Sequence, residues 1–222
     1  MMNKYCLLNL IEKLIEKNKR TIISPEVYLS HTNNTYDIAM ETADKAILNY
    51  PNLEEKLRRE EVALAGGLHD IGRLLKKDQL FHELRGAKFI EEKGLELRFA
   101  ASLKDAYRLA QMFRSHFVVF ELFTAEENKE KRTEFEMLDS EQLIPKTWQE
   151  LIIIYSDLTN ENGKIVSVQE RIRRIQKRYC SSSFYSKVLQ RGLPRILKYC
   201  EDIEKLVKGE LSEKETGMYQ FI

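Results

Sequence analysis

The feature that most constrains this chain is its long stretches of helical periodicity, which only four prolines interrupt in 222 residues. In the first stretch, apolar side chains recur every three or four residues from Leu7 to Ile15 and therefore fall on one face of a helix. The alternation of apolar and polar residues that marks a half-buried strand is nearly absent. Residues 151–155 have the composition of a buried strand, but their flanks favour helix. The sequence therefore predicts an all-α protein.

The periodic segments also give approximate helix positions. We expect helices at 7–15, 30–48, 53–68, 81–92, 101–123, 147–158, 168–179 and about 185–207. Ser24-Pro25-Glu26 reads as a helix start, with serine as the cap and proline in the first turn. We expect residues 160–163 to form a turn. The last helix is expected to break near residues 192–194, which include a proline. The charged segment 125–141 is expected to form a solvated connection or a marginal helix. The last segment, 212–222, is expected to be weakly ordered.

Composition places the chain among ordinary globular proteins, with 32% charged and 43% hydrophobic residues. At about 150 residues per domain, its length predicts a single domain over 1–222. Lysine and arginine total 36 against 35 acidic residues, a net charge of +1, so no general nucleic-acid coat protein is indicated. The basic run Arg171–Arg178 reads as the solvated face of an amphipathic helix rather than a nucleic-acid patch. Scattered tyrosines and phenylalanines at helical spacing read as core.

Nothing in the sequence indicates a membrane or a secreted protein. No apolar run comes near the roughly 20 residues of a membrane-spanning helix. Near the start of the chain, Leu7–Ile11 is short and interrupted by Asn9, unlike the apolar segment of a secretory signal. Three cysteines, Cys6, Cys180 and Cys200, lie far apart and form no CxxC pair, so neither a zinc knuckle nor a disulfide framework is indicated. We expect a cytoplasmic protein.

The most informative residues for chemistry are the adjacent pair His69-Asp70. Small and apolar residues at 63–68 lead into the pair at the end of a predicted helix, and Gly72 follows. Adjacent side chains can point to one site there, because the backbone is leaving helical geometry. An imidazole and a carboxylate together suit a divalent transition metal.

In this context the string His69-Asp70-Ile71-Gly72 resembles the HD superfamily of metal-dependent phosphohydrolases, in the branch named for that string. The superfamily pattern is a histidine, then His-Asp, then a distant aspartate, and His31 and Asp157 match its first and last positions. A subset of the superfamily carries two further histidines, which His82 and His116 match. All four histidines of the chain then fall on pattern positions, in order.

The resemblance covers roughly residues 25–180, since the stretch 163–171 also looks like the family's continuation. Two features depart from the pattern. The helix after the first histidine is unusually polar at 32–36, and Arg73 stands where the family often has lysine, which keeps the charge but changes the geometry. The resemblance implies an HD-domain helical bundle with its core at about 25–180 and a C-terminal helical extension at about 181–222.

The resemblance also implies a metal centre. Its ligands would be His31, His69, Asp70 and Asp157, and a second ion would be held by the two further histidines, His82 and His116, with Asp70 bridging. We expect two divalent ions, which would be Fe, Mn, Co or Ni rather than structural zinc. The reason is that the ligand set mixes histidines with carboxylates and contains no cysteine.

Three residues are expected to take part in the reaction itself: Asp70, Arg73 and Glu83. Arg73, with Lys76 and Lys77 as alternatives, would neutralise a phosphate group. Glu83, next to a predicted ligand, would order a water molecule or protonate the leaving group.

The implied activity is hydrolysis of a small phosphate ester or anhydride, with a nucleotide as the favoured substrate and no nucleic acid as partner. Two alternatives stay open. Relatives with the same ligand order are di-iron oxygenases that cleave C–C or C–P bonds, and degenerate members are non-catalytic signalling modules that have lost ligands. Here every ligand type is present, which argues against the signalling module. Three roles stay open for the helices after about residue 180: capping the domain, covering the pocket and forming a homo-oligomer contact.

Overall fold

The computed structural model describes residues 2–18, 24–161 and 163–221. These ranges hold eleven α-helices and one short antiparallel pair of strands, so the all-α prediction is confirmed. The helices are α1 (Lys4–Lys17), α2 (Pro25–Asn49), α3 (Glu54–Leu57), α4 (Arg59–Leu68), α5 (His82–Lys93), α6 (Leu103–Arg114), α7 (Val119–Thr124), α8 (Trp148–Leu158), α9 (Val168–Tyr179), α10 (Ser183–Lys208) and α11 (Glu213–Thr216). The strands are β1 (Asn160–Glu161) and β2 (Lys164–Ile165).

Helix α2 is the centre of the fold and packs against α1, α4, α8 and α10. Its contact face carries the fully buried alanines 39, 43 and 46, whose small side chains let neighbouring helices approach closely. On α4, a Cβ atom added to Gly66 would lie 3.0 Å from the Cβ of Ala39 and 3.2 Å from the Thr35 carbonyl oxygen. This close approach sets the end of α4 beside the first half of α2.

The C-terminal segment is attached to the start of α8. Trp148 Nε1 donates to the Thr216 carbonyl at 3.0 Å, and the Gln220 amide donates to the Lys146 carbonyl at 2.9 Å. Buried hydrophobic side chains from Leu7 to Leu211 form one continuous cluster. The segment at 212–221, predicted to be weakly ordered, therefore includes α11 and has defined partners; residue 222 lies outside the described ranges.

Two predicted helices are divided in the structure. The segment 53–68 breaks at Arg58, which has a left-handed backbone (φ 50°), and the segment 101–123 breaks between α6 and α7, where Phe117 has φ 49°. Neither break contains glycine or proline. The first falls at the start of the charged run 58–61, and apolar residues continue across the second, so no helix-breaking residue marks either division.

At two other positions the structure has a continuous helix where the sequence predicted a helix boundary. Helix α10 continues through Pro194, although an internal proline costs about 3 kcal/mol through its missing hydrogen bond and its ring clash. Next to this proline, Arg195 donates to the buried Glu121 carboxylate of α7 at 2.9 Å. Helix α2 begins at Pro25, with Ser24 at its cap position, rather than at residue 30.

The connection 125–141 is neither a marginal helix nor simply solvated. It forms three short 3₁₀ turns, at Glu126–Asn128, Lys131–Phe135 and Ser140–Leu143, and buries Asn128 and Phe135. Two residues of the predicted turn at 160–163, Asn160 and Glu161, form strand β1, which pairs with β2, and residue 162 lies outside the described ranges.

None of the helices in the described ranges combines the length and apolarity that crossing a bilayer requires. All three cysteines are free thiols: Cys6 and Cys180 are exposed, and Cys200 is buried.

Candidate metal centre

Three helices bring His31, His69 and Asp157 together. His31 lies in the second turn of α2, His69 directly follows α4, and Asp157 belongs to the last turn of α8. Asp157 Oδ1 lies 3.1 Å from His31 Nε2 and 3.6 Å from His69 Nε2, and the two Nε2 atoms are 3.4 Å apart. Among the described residues, this triad is the one group whose ligand atoms all lie within 4.8 Å of one another.

Asp70 borders the triad from the 3₁₀ turn that follows α4. Its Oδ2 atom lies 3.8 Å from His31 Nε2, and its Oδ1 atom lies 3.6 Å from His69 Nε2. Arg73 Nε, one turn further along, donates to Oδ2 at 2.8 Å. The carboxylate of Asp70 therefore faces the triad on one side and a guanidinium on another.

The remaining two histidines, His82 and His116, form an outer pair. His82 Nε2 lies 2.9 Å from Asp70 Oδ1, and His116 Nε2 lies 3.2 Å from Asp157 Oδ2. Each aspartate thus lies between histidines of the triad and one histidine of the outer pair. The structure brings all six residues predicted as metal ligands into one cluster.

Left-handed residues flank both histidines of the outer pair. His82 is the first residue of α5 and follows Phe81 (φ 57°), while His116 precedes Phe117 (φ 49°). His116 was predicted near the end of a helix over 101–123, and it lies instead in the break between α6 and α7. Left-handed backbone is unfavourable by roughly 1–2 kcal/mol for a residue with a Cβ atom. Phe81 is held there by burial and by its edge contact with Phe123, at 5.7 Å between ring centroids.

Gly72 explains how Asp70 comes to lie beside His82. The turn Ile71–Leu74 packs so closely on the start of α5 that a Cβ atom on Gly72 would overlap the His82 carbonyl. The same added atom would lie 2.8 Å from the Gly86 amide nitrogen, below normal contact distance. Only glycine permits this approach, which gives the last residue of the His-Asp-Ile-Gly string a physical role.

Hydrogen bonds on the far side of the rings orient two of the histidines. His69 Nδ1 lies 2.6 Å from the Gly66 carbonyl oxygen, and His82 Nδ1 lies 2.9 Å from the Gln79 carbonyl oxygen. A carbonyl only accepts, so Nδ1 carries the proton in both rings and, in the neutral ring, Nε2 presents its lone pair to the site. His116 Nδ1 is buried and has no hydrogen-bond partner within the described residues.

Sequence reasoning did not identify Asn160, which lies behind His31. Its side-chain nitrogen is 3.1 Å from His31 Nδ1 and donates to the His31 carbonyl at 3.0 Å and to Thr35 Oγ1 at 2.9 Å. Asn160 is completely buried, whereas the sequence placed it in a surface turn. An asparagine next to a glycine-containing turn carries no signal that separates the two roles.

The cluster has the electrostatics of a cation site. Burial would raise the pKa of the Asp70 carboxyl, but Arg73 and two neighbouring histidines hold it well below its usual range. The pKa of Asp157 is likewise held well below its usual range, against burial, by three of the histidines. Burial would lower the pKa of His69, but Asp70 and Asp157 raise it to about 9. Both carboxylates are therefore ionised at neutral pH.

Negative charge exceeds positive charge in this buried region when the histidines are neutral. Among the described residues, Asp70 forms an ion pair with one guanidinium, that of Arg73, whereas the partners of Asp157 and of the buried Glu83 are histidines. Helices α4 and α8 both end at the cluster, and the C-terminal end of a helix carries partial negative charge. Imidazole and carboxylate donors with surplus negative charge fit a divalent transition-metal ion.

A cavity of about 190 Å³ opens beside the cluster. Arg73, His82, Glu83 and Asp157 line one part of it, so the predicted catalytic residues Arg73 and Glu83 both face this space. The alternatives to Arg73 do not: Lys76 is exposed and pairs with Glu134 at 3.3 Å, and Lys77 is exposed.

Comparison with models of known protein families finds no match to this chain, and comparisons with curated proteins and with solved structures find no significant similarity. The function therefore has to be inferred from the geometry and chemistry of the site.

Proposed function

We propose that this chain is a metal-dependent phosphohydrolase of the HD type, which hydrolyses a small phosphate ester or anhydride, with a nucleotide as the favoured substrate. The observation that carries the proposal is the convergence of His31, His69, Asp70, His82, His116 and Asp157. These residues occupy five separate segments of the chain. They match the superfamily pattern in order, and their Nε2 and carboxylate oxygen atoms meet in one buried cluster.

In this proposal the triad and Asp70 would hold one ion, and His82 and His116 would supply ligands for a second, with Asp70 as the ligand shared by both. Bound divalent ions at such a centre lower the pKa of water and polarise a phosphoryl group. The two orienting hydrogen bonds at His69 and His82 support the assignment, because metal-binding histidines commonly donate their other ring proton to a carbonyl or a carboxylate.

Arg73 has the position to bind the substrate phosphate. Its Nε atom is engaged by Asp70, which fixes the guanidinium at the edge of the cavity. The terminal nitrogens can then donate to phosphate oxygens; one of them makes only a long contact, 3.4 Å, with Gln79. Arg73 would thus orient the phosphoryl group and neutralise part of its charge.

Glu83 has the position to hold a proton for the leaving group. It lines the cavity, and its buried Oε2 atom, which lies 3.3 Å from His82 Nδ1, makes no hydrogen bond within the described residues. Such a carboxyl group needs a partner, and a leaving-group oxygen in the cavity would provide one.

The experiment that tests the proposal is elemental analysis of protein purified without added metal or chelator, combined with phosphate release from small phosphate esters. We expect close to two equivalents of Mn, Fe, Co or Ni per chain and metal-dependent release of phosphate. The variant Asp157→Asn should lose both. Asp202→Asn is the matched control, because Asp202 is a buried aspartate on α10, where it accepts from Tyr219 at 2.8 Å.

Other outcomes contradict the proposal. Iron as the only metal, with oxygen consumption and no phosphate release, would move the chain to the di-iron oxygenases. No bound metal and no activity after addition of Mn²⁺ or Fe²⁺ would leave a non-catalytic module.

A further inference from the structure

Two tyrosines of the C-terminal helices line the cavity beside the metal centre. Tyr179 ends α9 and Tyr185 lies in the first turn of α10; their ring centroids are 5.1 Å apart and the planes are inclined by 31°. Both rings face the cavity, and Tyr179 is about one-third exposed, at 36%. Tyr179 is therefore not a core residue, contrary to the interpretation of its helical spacing, whereas Tyr185 is partly buried and packs against the core cluster.

The wall next to the tyrosines is apolar. Ile175 of α9 and Val188 and Leu189 of α10 are buried and line the same cavity. Val118 and Leu122, at the break before α7 and within it, complete this part. The cavity thus has a charged side, formed by the cluster and Arg73, and an aromatic and aliphatic side formed largely by α9 and α10.

Two arginines of the basic run on α9 also line the cavity. Arg171 donates to the buried Glu161 at 3.0 Å. Arg178 is exposed and, within the ranges that the structure describes, takes part in no ion pair. This part of the run therefore borders the site, contrary to its interpretation as only a solvated helix face, and its charge would attract an anionic ligand.

The size of the cavity limits what it can enclose. Sites for drug-sized ligands usually measure about 300–1,000 Å³, whereas this cavity measures about 190 Å³. A phosphate group with one ring system attached suits this space better than a molecule with two nucleosides. An aromatic ring system also suits the tyrosine wall, because aromatic rings gain from offset or edge contacts with one another.

We propose that the substrate is a nucleoside monophosphate whose base packs against Tyr179, Tyr185 and the apolar wall of α9 and α10, so that the C-terminal helices determine specificity. The inference rests on the proposed function for the phosphate end of the substrate. It assigns to the helices after residue 180 the role of covering the pocket, one of the three roles that the sequence left open.

The test compares two esters that differ only in the base, uridine 5′-monophosphate and ribose 5-phosphate, on the metal-loaded protein. We expect kcat/KM to be at least about tenfold higher for uridine 5′-monophosphate, since stacking of one base on aromatic side chains typically contributes that much or more. In the double variant Tyr179→Leu/Tyr185→Leu, the loss for the nucleotide should exceed the loss for the sugar phosphate by about tenfold. Tyr5→Leu, which changes an exposed tyrosine on α1, is the control and should leave the ratio unchanged.

Equal losses for the two esters in the double variant, or no preference in the wild-type protein, would overturn the inference while leaving the proposed phosphohydrolase intact. If neither ester is hydrolysed, calorimetric binding of the same two compounds decides the inference, while metal content and phosphate release from other esters decide the proposed function. Tighter binding of uridine 5′-monophosphate that is lost in the double variant would support the aromatic pocket. Equal affinities would overturn it.

Discussion

The triad and the outer pair consist of the same kinds of residue in one cluster, but the chain positions them by different means. His31 lies inside α2, Asp157 lies inside α8, which packs against α2, and His69 directly follows α4 in helical conformation. His82 and His116 sit at a helix start and at a helix break, each beside a phenylalanine with a left-handed backbone. Packing of regular helices therefore defines the triad, whereas unfavourable local backbone that the surrounding core maintains defines the outer pair.

The two groups also differ in what lies behind the rings. In the triad, His69 donates to the Gly66 carbonyl and His31 adjoins the buried Asn160. In the outer pair, His82 donates to the Gln79 carbonyl, but His116 Nδ1 has no partner within the described residues. A site whose ligands are already oriented loses less free energy to reorganisation when it binds an ion. We therefore expect the triad to bind the first and tighter ion.

The largest effect is expected from His69→Gln, which removes the most buried ligand of the triad. Changing residues that only support ligands typically costs about 10- to 100-fold in affinity or activity. Removal of the ligand itself should lower kcat/KM for phosphate release by at least about 100-fold and leave less than one metal per chain. Elemental analysis and phosphate release measure this, with circular dichroism as the check on folding. Full metal content in this variant would show that the triad is not the primary site.

A smaller effect is expected from His82→Gln and from His116→Gln. Each should reduce the metal content from about two to about one per chain, because the triad remains complete. Activity should fall by about 10- to 100-fold, less than for His69→Gln. Loss of both ions in either variant would mean that the outer pair is required for the first ion, and the proposed difference between the two groups would be wrong.

The same contrast explains what could be predicted from the sequence. Helical periodicity gives α8 and α9 to within one residue, and the ligands that lie in or next to regular helices could be placed from it. The break at residues 115–118 could not be predicted, since Phe117, Val118 and Val119 continue the apolar pattern of α6 without glycine or proline. The His-Asp-Ile-Gly string identified Gly72 without its reason, which is contact with a segment ten residues later.

Residues around the site were harder to predict than the ligands. The residues beside the site owe their position to neighbours that are distant in sequence or belong to another helix; they are Asn160, Tyr179, Tyr185 and Arg178. Their types are common in turns, cores and solvated faces, so a single sequence does not separate these roles. Metal ligands can be recognised from residue type and order in the sequence. Residues that orient the ligands or contact the substrate are identified only by their position in the three-dimensional structure.

The variant Asn160→Ala tests whether the hydrogen bonds of Asn160 orient His31. Its expected effect is smaller than that of His82→Gln or His116→Gln. The substitution removes the side chain beside His31 Nδ1 and two hydrogen bonds to α2, one to the His31 carbonyl and one to Thr35. Metal affinity at the first site should fall by about tenfold, at the lower end of the range for residues that orient ligands. Competition with a chromogenic chelator measures the affinity. Asn49→Ala is the control, because Asn49 also donates to a backbone carbonyl, that of Val207, but away from the site. An unchanged affinity in Asn160→Ala would show that packing alone orients His31.

The prediction with the smallest expected effect concerns the left-handed backbone of Phe117, beside His116. Phe117→Gly and Phe117→Ala both remove the ring, so their difference isolates the Cβ atom at φ 49°. A left-handed backbone is unfavourable by roughly 1–2 kcal/mol with a Cβ atom present, so the glycine variant should be more stable than the alanine variant by about 1 kcal/mol. At Leu197, inside α10, the order should reverse by about 0.5–1 kcal/mol, because glycine weakens a regular helix. Urea unfolding measures both differences. If alanine is the more stable residue at 117 as well, the break relaxes without its left-handed residue, and His116 is positioned by packing in the same way as the triad.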